Sequence, residues 1–143
     1  MNDTDSLSDL DIVARTIDGE AGNQGYEGQQ AVACGIMNRV ALKWKGDETE
    51  RAVCLRPAQF SCWLPGPDRD RIMSPSYVAP NTCVLLAGMA LSGTIMDITE
   101  GADSYIVTGT PCYWAKGLTP VIVIGKHSFY ITRPPSRSFD VVT

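Results

Sequence analysis

Between Glu27 and about Trp44, apolar and small residues recur at three- and four-residue steps: Ala31, Val32, Gly35, Ile36 and Val40. That period marks a helix with one packed face. Ala31, Ala33, Cys34 and Gly35 are small, so another element can approach this face closely. The spacing predicts a central helix against which the rest of the chain must pack. Its far half carries Asn38 and Arg39. Arg39 reads either as a surface charge or as an inward guanidinium bonding carbonyls and carboxylates, a task its rigid fork of donors suits.

Before this helix, Ser8 precedes Leu10, Val13, Ala14 and Ile17, which share one helical face. The first helix is expected to end near Asp18-Gly19, with Asn23 to Gly25 as a turn. Glu20 then lies at a helix end among glycines, where a carboxyl can face a cleft. On spacing alone, the simpler reading of Glu20 is a solvated helix-end acid.

After the central helix, Lys43 to Glu50 is polar and turn-like, and Glu48 to Leu55 suits a short helix. Pro57 to Trp63 is aperiodic and carries Phe60 and Trp63, which either line a groove or plug the core. Asp68 to Pro75 reads as a mobile surface segment. Tyr77 to Leu91 is expected as a helix buried on most sides, with Pro80 in its first turn or in a short turn before it and Gly93 at its end. Beyond Gly93 the pattern changes. Asp97 to Ala102 is turn-rich, and Tyr105 to Val107, Val121 to Ile124 and Ser128 to Ile131 are short β-type runs. Gly125-Lys126 between the last two suits a hairpin. Residues 133–143, with Pro134-Pro135, read as a flexible tail. Helices first and a small antiparallel sheet second give an α+β fold.

The chain has 143 residues, enough for one domain with its core at about residues 8–132. Its formal net charge is −4. That disfavours nucleic acid, which needs a basic surface, and means that an anionic polymer would require a local basic patch. No window approaches the length of a membrane span. Met1 to Asp5 has neither a basic nor an apolar signal region, so retention in a cytosol is expected. The five cysteines include no Cys-x-x-Cys pair, which disfavours structural zinc. Cys34 and Cys83 read as small buried hydrophobes. A cysteine peptidase built on Cys112 and His127 is a weak third reading.

Several short motifs occur in order. They are Glu20-Ala21 with Tyr26-Glu27-Gly28-Gln29, Asn38-Arg39-Val40, Gln59-Phe60-Ser61, Asp97-x-Thr99-x-Gly101-Ala102 with Tyr105, and Trp114 with Gly125-x-His127-x-Phe129-Tyr130. Together they span roughly residues 12–131. In this order they resemble the cell-wall hydrolase family of spore-cortex-lytic enzymes, the SleB type. The family often carries a second acid four residues after the first, where this chain has Gln24.

The resemblance implies a lysozyme-like, two-lobed domain that cleaves peptidoglycan after N-acetylmuramic acid, with Glu20 as the catalytic acid at the lip of a groove. It implies that Glu27, Gln59, Phe60, Ser61, Trp63, Asp97, Thr99, Tyr105, Trp114, His127 and Tyr130 line the substrate groove. No metal or organic cofactor is implied, and a monomer is expected. A lytic transglycosylase can work with one acid, whereas hydrolases usually pair two carboxylates. Asp97 is the best second candidate, but Asp-x-Thr equally reads as an Asx-turn, the favoured reading. His127 either bonds substrate or ties two strands. Without a signal, such an enzyme is expected to be a phage endolysin released through membrane holes, or virion-associated. A non-catalytic glycan-binding or virion module is the alternative from another class.

Overall fold

The computed structural model describes residues 3–133. Five α-helices come first: α1 (Asp9–Ala21), α2 (Tyr26–Ala41), α3 (Glu50–Leu55), α4 (Pro67–Ile72) and α5 (Asn81–Ser92). Three strands follow: β1 (Ser104–Val107), β2 (Ile122–Ile124) and β3 (His127–Tyr130). They form an antiparallel sheet in the order β1-β3-β2. β2 and β3 make the expected hairpin, with Gly125 in the left-handed conformation at φ 58°. The fold class is α+β, as the sequence pattern predicts.

α1 starts with a capping box in which Ser8 and Asp11 satisfy each other's backbone N–H groups. It does not end at Gly19 but runs on to Ala21. Ile12, Val13, Ala14, Thr16, Ile17, Asp18 and Ala21 are all buried, and α1 packs against α2, α3, α4 and α5. The centre of the molecule is therefore shared between α1 and α2. The small-residue face of α2 brings α5 and β2 close, as its composition predicts. One core cluster joins α1, α2, α3 and α5. A smaller one joins Ala31 of α2 to Ala102 and Phe129 of the sheet region. Tyr105 packs against both.

Three expectations fail on packing. Asp68 to Pro75 is not a loose segment. Pro67 starts α4, Ile72 is fully buried, and Arg71 is tied to Asp18. α5 is not buried on most sides, because Val84 and Leu85 are exposed while Cys83, Leu86, Ala87 and Ala90 face the core. Trp44 does not extend α2. It lies in a 3₁₀ turn, Trp44–Gly46, and is buried. Glu50–Leu55 forms the short helix expected there, capped by Thr49. Gly93 closes α5 at φ 73°. The tail expected at residues 133–143 lies, after Arg133, outside the described residues.

Candidate active site

The last turn of α1 puts Asp18 and Glu20 beside a cleft of ≈ 600 Å³. Asp18 is buried and its carboxylate is already engaged. It accepts from Arg71 Nη1 at 2.7 Å and from the Tyr77 hydroxyl at 2.7 Å. Burial, followed by the bond and charge of Asp18, pushes the Tyr77 phenol up, so it remains a donor.

Glu20 is half-buried and held by two other segments of the chain. Its Oε1 accepts from the Tyr105 hydroxyl at 2.7 Å, and its Oε2 accepts from the Cys62 backbone N–H at 3.0 Å. The Ser61 hydroxyl adds a longer contact at 3.4 Å. α1 can come this close to the Ser61–Trp63 turn because residue 19 is glycine. A Cβ there would stand 2.5 Å from Cys62 Cβ. Burial, followed by the charge and bond of Glu20, raises the Tyr105 phenol well above its ordinary value. Tyr105 is therefore a fixed donor to Glu20.

His127 completes the wall of the cleft. Gln24 Nε2 donates to its Nδ1 at 3.1 Å, so the neutral ring carries its proton on Nε2. The ring meets Tyr105 edge-on at 4.7 Å. Burial lowers the His127 pKa, the charge of Glu20 opposes this, and Lys126 adds to it. Gln24 reaches the hairpin because Gly125 lacks a side chain. A Cβ there would lie 2.6 Å from Gln24 Oε1.

A second opening of ≈ 440 Å³ is lined in part by Arg39, Lys45, Gln59, Tyr105 and Trp114. Arg39 points inward. Its Nε donates to the Asp103 carbonyl at 2.6 Å and its Nη1 to Gln59 Oε1 at 3.2 Å, with its guanidinium 4.5 Å over Trp44. Burial lowers its pKa, opposed by Tyr105 and Asp103. Trp114 is braced edge-on by Tyr130 at 5.5 Å.

Of the sequence-predicted groove residues, Glu20, Ser61 and His127 line the cleft, and Gln59, Tyr105 and Trp114 line the second opening. Tyr130 lines neither space and touches Trp114 edge-on. Five others are placed elsewhere. Phe60 is a core residue, 4% exposed, under the Arg39 guanidinium. Trp63 packs against the core and donates from Nε1 to Thr16 Oγ1 at 2.9 Å. Thr99 is fully buried. Asp97 closes the expected Asx-turn, accepting from Thr99 N, Thr99 Oγ1, Gly101 N and Asn38 Nδ2. Burial pushes the Asp97 carboxyl up, but the bonds from Thr99, Asn38 and Gly101 outweigh it and hold it below the usual range. Its oxygens are engaged by that turn and by Asn38, and it does not line the Glu20 cleft. Glu27 is exposed and lines a separate surface hollow with Tyr26 and Lys126.

Sequence reading missed Asp18, Asp68 and Arg71, which line the cleft with Glu20. Asp18 carried a signal, since it falls one helical turn after Ala14 on the buried face of α1. It also missed Asp103, whose buried carboxylate accepts from Ser104 and Thr132. Among the described residues, no group of three His, Cys, Asp or Glu side chains could hold a metal ion, and no helix is long and apolar enough to cross a membrane.

The family model described as Cell Wall Hydrolase matches residues 23–130. The chain belongs to the cell wall hydrolase family. Two solved structures are similar to this cell wall hydrolase along most of its length. One is the catalytic domain of the SleB protein of Bacillus cereus, with 27% identity and a TM-score of 0.69 over 85% of this chain and 88% of that one. The other is the catalytic domain of the germination-specific lytic transglycosylase SleB from Bacillus anthracis, with 26% identity and a TM-score of 0.69 over 87% of this chain and 95% of that one. No curated protein matches. The cell wall hydrolase thus has the lysozyme-like α+β fold of the SleB catalytic domains. Glu20 lies just ahead of the stretch that the family model matches.

Proposed function

We propose that this cell wall hydrolase cleaves the bond between N-acetylmuramic acid and N-acetylglucosamine in peptidoglycan, acting as a lytic transglycosylase with Glu20 as its catalytic residue. The observation that carries this reading is the placement of Glu20. Its carboxylate borders the cleft and is oriented by Tyr105 and the Cys62 N–H, while the neighbouring Asp18 is committed to Arg71 and Tyr77. The similarity to a lytic transglycosylase of Bacillus anthracis supports it.

In this mechanism, protonated Glu20 delivers its proton to the glycosidic oxygen as the bond from the muramoyl C1 breaks. Positive charge develops on the sugar ring. The Glu20 carboxylate then takes the proton of the muramoyl 6-hydroxyl, whose oxygen bonds to C1 and closes a 1,6-anhydro ring. No water is consumed, and Glu20 ends protonated as it began. Tyr105 holds the carboxylate between the two proton transfers. Neutral His127 offers its Nε2–H to the sugar, with Ser61, Gln59 and Trp114 as further contacts.

The test is the pair Glu20→Gln and Glu27→Gln. General acid–base catalysis contributes about 10²–10⁴-fold, so Glu20→Gln should lose at least that much activity while folding normally. Glu27→Gln should stay close to wild type. Loss of activity in Glu27→Gln alone moves the acid to the later position, and no loss in either favours a non-catalytic module. Mass spectrometry of the products should find anhydro-muramoyl ends. Hydrated ends would favour a hydrolytic muramidase, for which Asp68, which lines the Glu20 cleft beside the already committed Asp18, is the residue to replace.

The phage-lysin setting and the monomeric state are part of the same proposal. Bacteria making the enzyme internally should stay intact until their membrane is permeabilised, and lysis without permeabilisation sinks that setting.

A further inference from the structure

The second opening shares two walls with the Glu20 cleft. On the loop before the Ser61–Trp63 turn, Gln59 lines the second opening, while Ser61, two residues on, lines the cleft. On β1, Ser104, Tyr105 and Ile106 line the second opening and Val107 the cleft. Tyr105 borders the second opening while its hydroxyl reaches Glu20. Tyr105 thus links the two spaces, bordering one and bonding the carboxylate that lines the other.

The two spaces differ in charge. The cleft is lined by Asp18, Glu20 and Asp68, and its Arg71 is engaged by Asp18. The second opening is lined by Arg39 and Lys45 and, among the described residues, by no Asp or Glu. Arg133 adds a third cation, 4.6 Å over the Trp44 ring. In a chain of net charge −4, this is a local basic patch. It also carries aromatic surface, since Tyr113 is 90% exposed beside Trp114.

Resting on the glycosidase reading above, we infer that the second opening is the subsite for the muramoyl unit that supplies the reacting carbon. Its lactyl carboxylate, or the acidic stem attached there, faces Lys45. The uncharged N-acetylglucosamine leaving unit lies on the Asp68 side. An anionic sugar on that side meets like charge, which interfaces avoid. The charge division therefore fixes the direction in which the strand lies across Glu20.

The experiment measures binding in the Glu20→Gln background, where turnover does not interfere. The probes are a muramoyl tetrasaccharide with free lactyl carboxylates and uncharged chitotetraose, followed by calorimetry. Lys45 has a left-handed backbone at φ 52°, which Asn and Asp tolerate, so Lys45→Asn and Lys45→Asp are the suitable changes. Lys45→Asn should weaken muramoyl binding about two- to five-fold, the usual worth of an exposed charge pair. Lys45→Asp should weaken it further, and both effects should shrink at high salt. Chitotetraose binding should not move. Tyr113→Ala should weaken both sugars alike, because stacking does not sense the carboxylate. Unchanged muramoyl affinity in Lys45→Asp, or equal losses for the two sugars in the Lys45 variants, overturns the assignment and leaves the enzyme reading intact. No binding of either sugar by the Glu20→Gln protein overturns both.

Discussion

Glu20 is bonded by a phenol that keeps its proton and faces an imidazole that titrates on acidification. Tyr105 stays a phenol because burial and the Glu20 charge oppose its ionisation. Its hydroxyl bond to a carboxylate belongs to the stronger class, worth about 1.5–3 kcal/mol. Tyr105→Phe should therefore lower kcat about ten-fold or more, and the melting temperature by several degrees because the same bond stabilises the fold. An unaltered kcat shows that Tyr105 does not position the acid. His127 gives a pH signature. Burial lowers its folded-state pKa below the ordinary 6.5, against the pull of Glu20 and with the push of Lys126. The unfolded chain then takes up the proton first. The stability His127 contributes is complete above pH 6.5 and is lost as pH falls through the folded-state value. Melting temperatures measured on both sides of that window should fall towards acid in the wild type, and less steeply in His127→Gln. Parallel curves sink the assignment.

The position of Glu20 depends on how closely two elements approach. Gly19 lets α1 touch the Ser61–Trp63 turn whose Cys62 N–H holds the carboxylate. Gly19→Ala gains about 1 kcal/mol of helix propensity. Against this stands overpacking, which costs about 1–3 kcal/mol because the obstacle is Cys62 Cβ, an atom fixed to the backbone. The net expectation is a lower melting temperature together with a larger fall in kcat, as the turn is pushed away from Glu20. A stabilised and fully active variant sinks this account. The same contact shows why the sequence was legible only in part. The period of α2, the Asp97 turn and the Gly125-Lys126 hairpin rest on local chemistry, and all form as read. The extension of α1 past Gly19, the ordering of α4 and the burial of Phe60 rest on partners far along the chain. Arg71 meets Asp18 from 53 residues away, and Arg39 covers Phe60 from 21. No local pattern announces such pairs. Arg71 stayed hidden from sequence reading for that reason, and Asp18 showed only its place on the buried face of α1, whereas Glu20 was reached through a resemblance of ordered motifs.

Across the whole molecule, the five cysteines report on folding. None is in a disulfide. Cys34, Cys54, Cys62 and Cys83 are buried, one each on α2, α3, the turn beside Glu20 and α5; the last three lie in the main core cluster, and Cys34 reports on the helix that carries part of it. Burial pushes their thiols up, to about 11 for Cys34 and Cys83 and about 12 for Cys54, and upward for Cys62 as well, where the Glu20 charge adds to it. Thiol, not thiolate, is therefore the resident form, and alkylation requires the thiolate. Cys112 alone is partly exposed. With iodoacetamide at neutral pH, mass spectrometry should find one rapid modification, at Cys112, and four slow ones. The four should accelerate together when denaturant opens the core, because α1, α2, α3 and α5 form one cluster. Reductant should leave the melting temperature unchanged. If any of the four reacts as fast as Cys112 in the native protein, or if they open at different denaturant concentrations, then the helical core does not unfold as one unit.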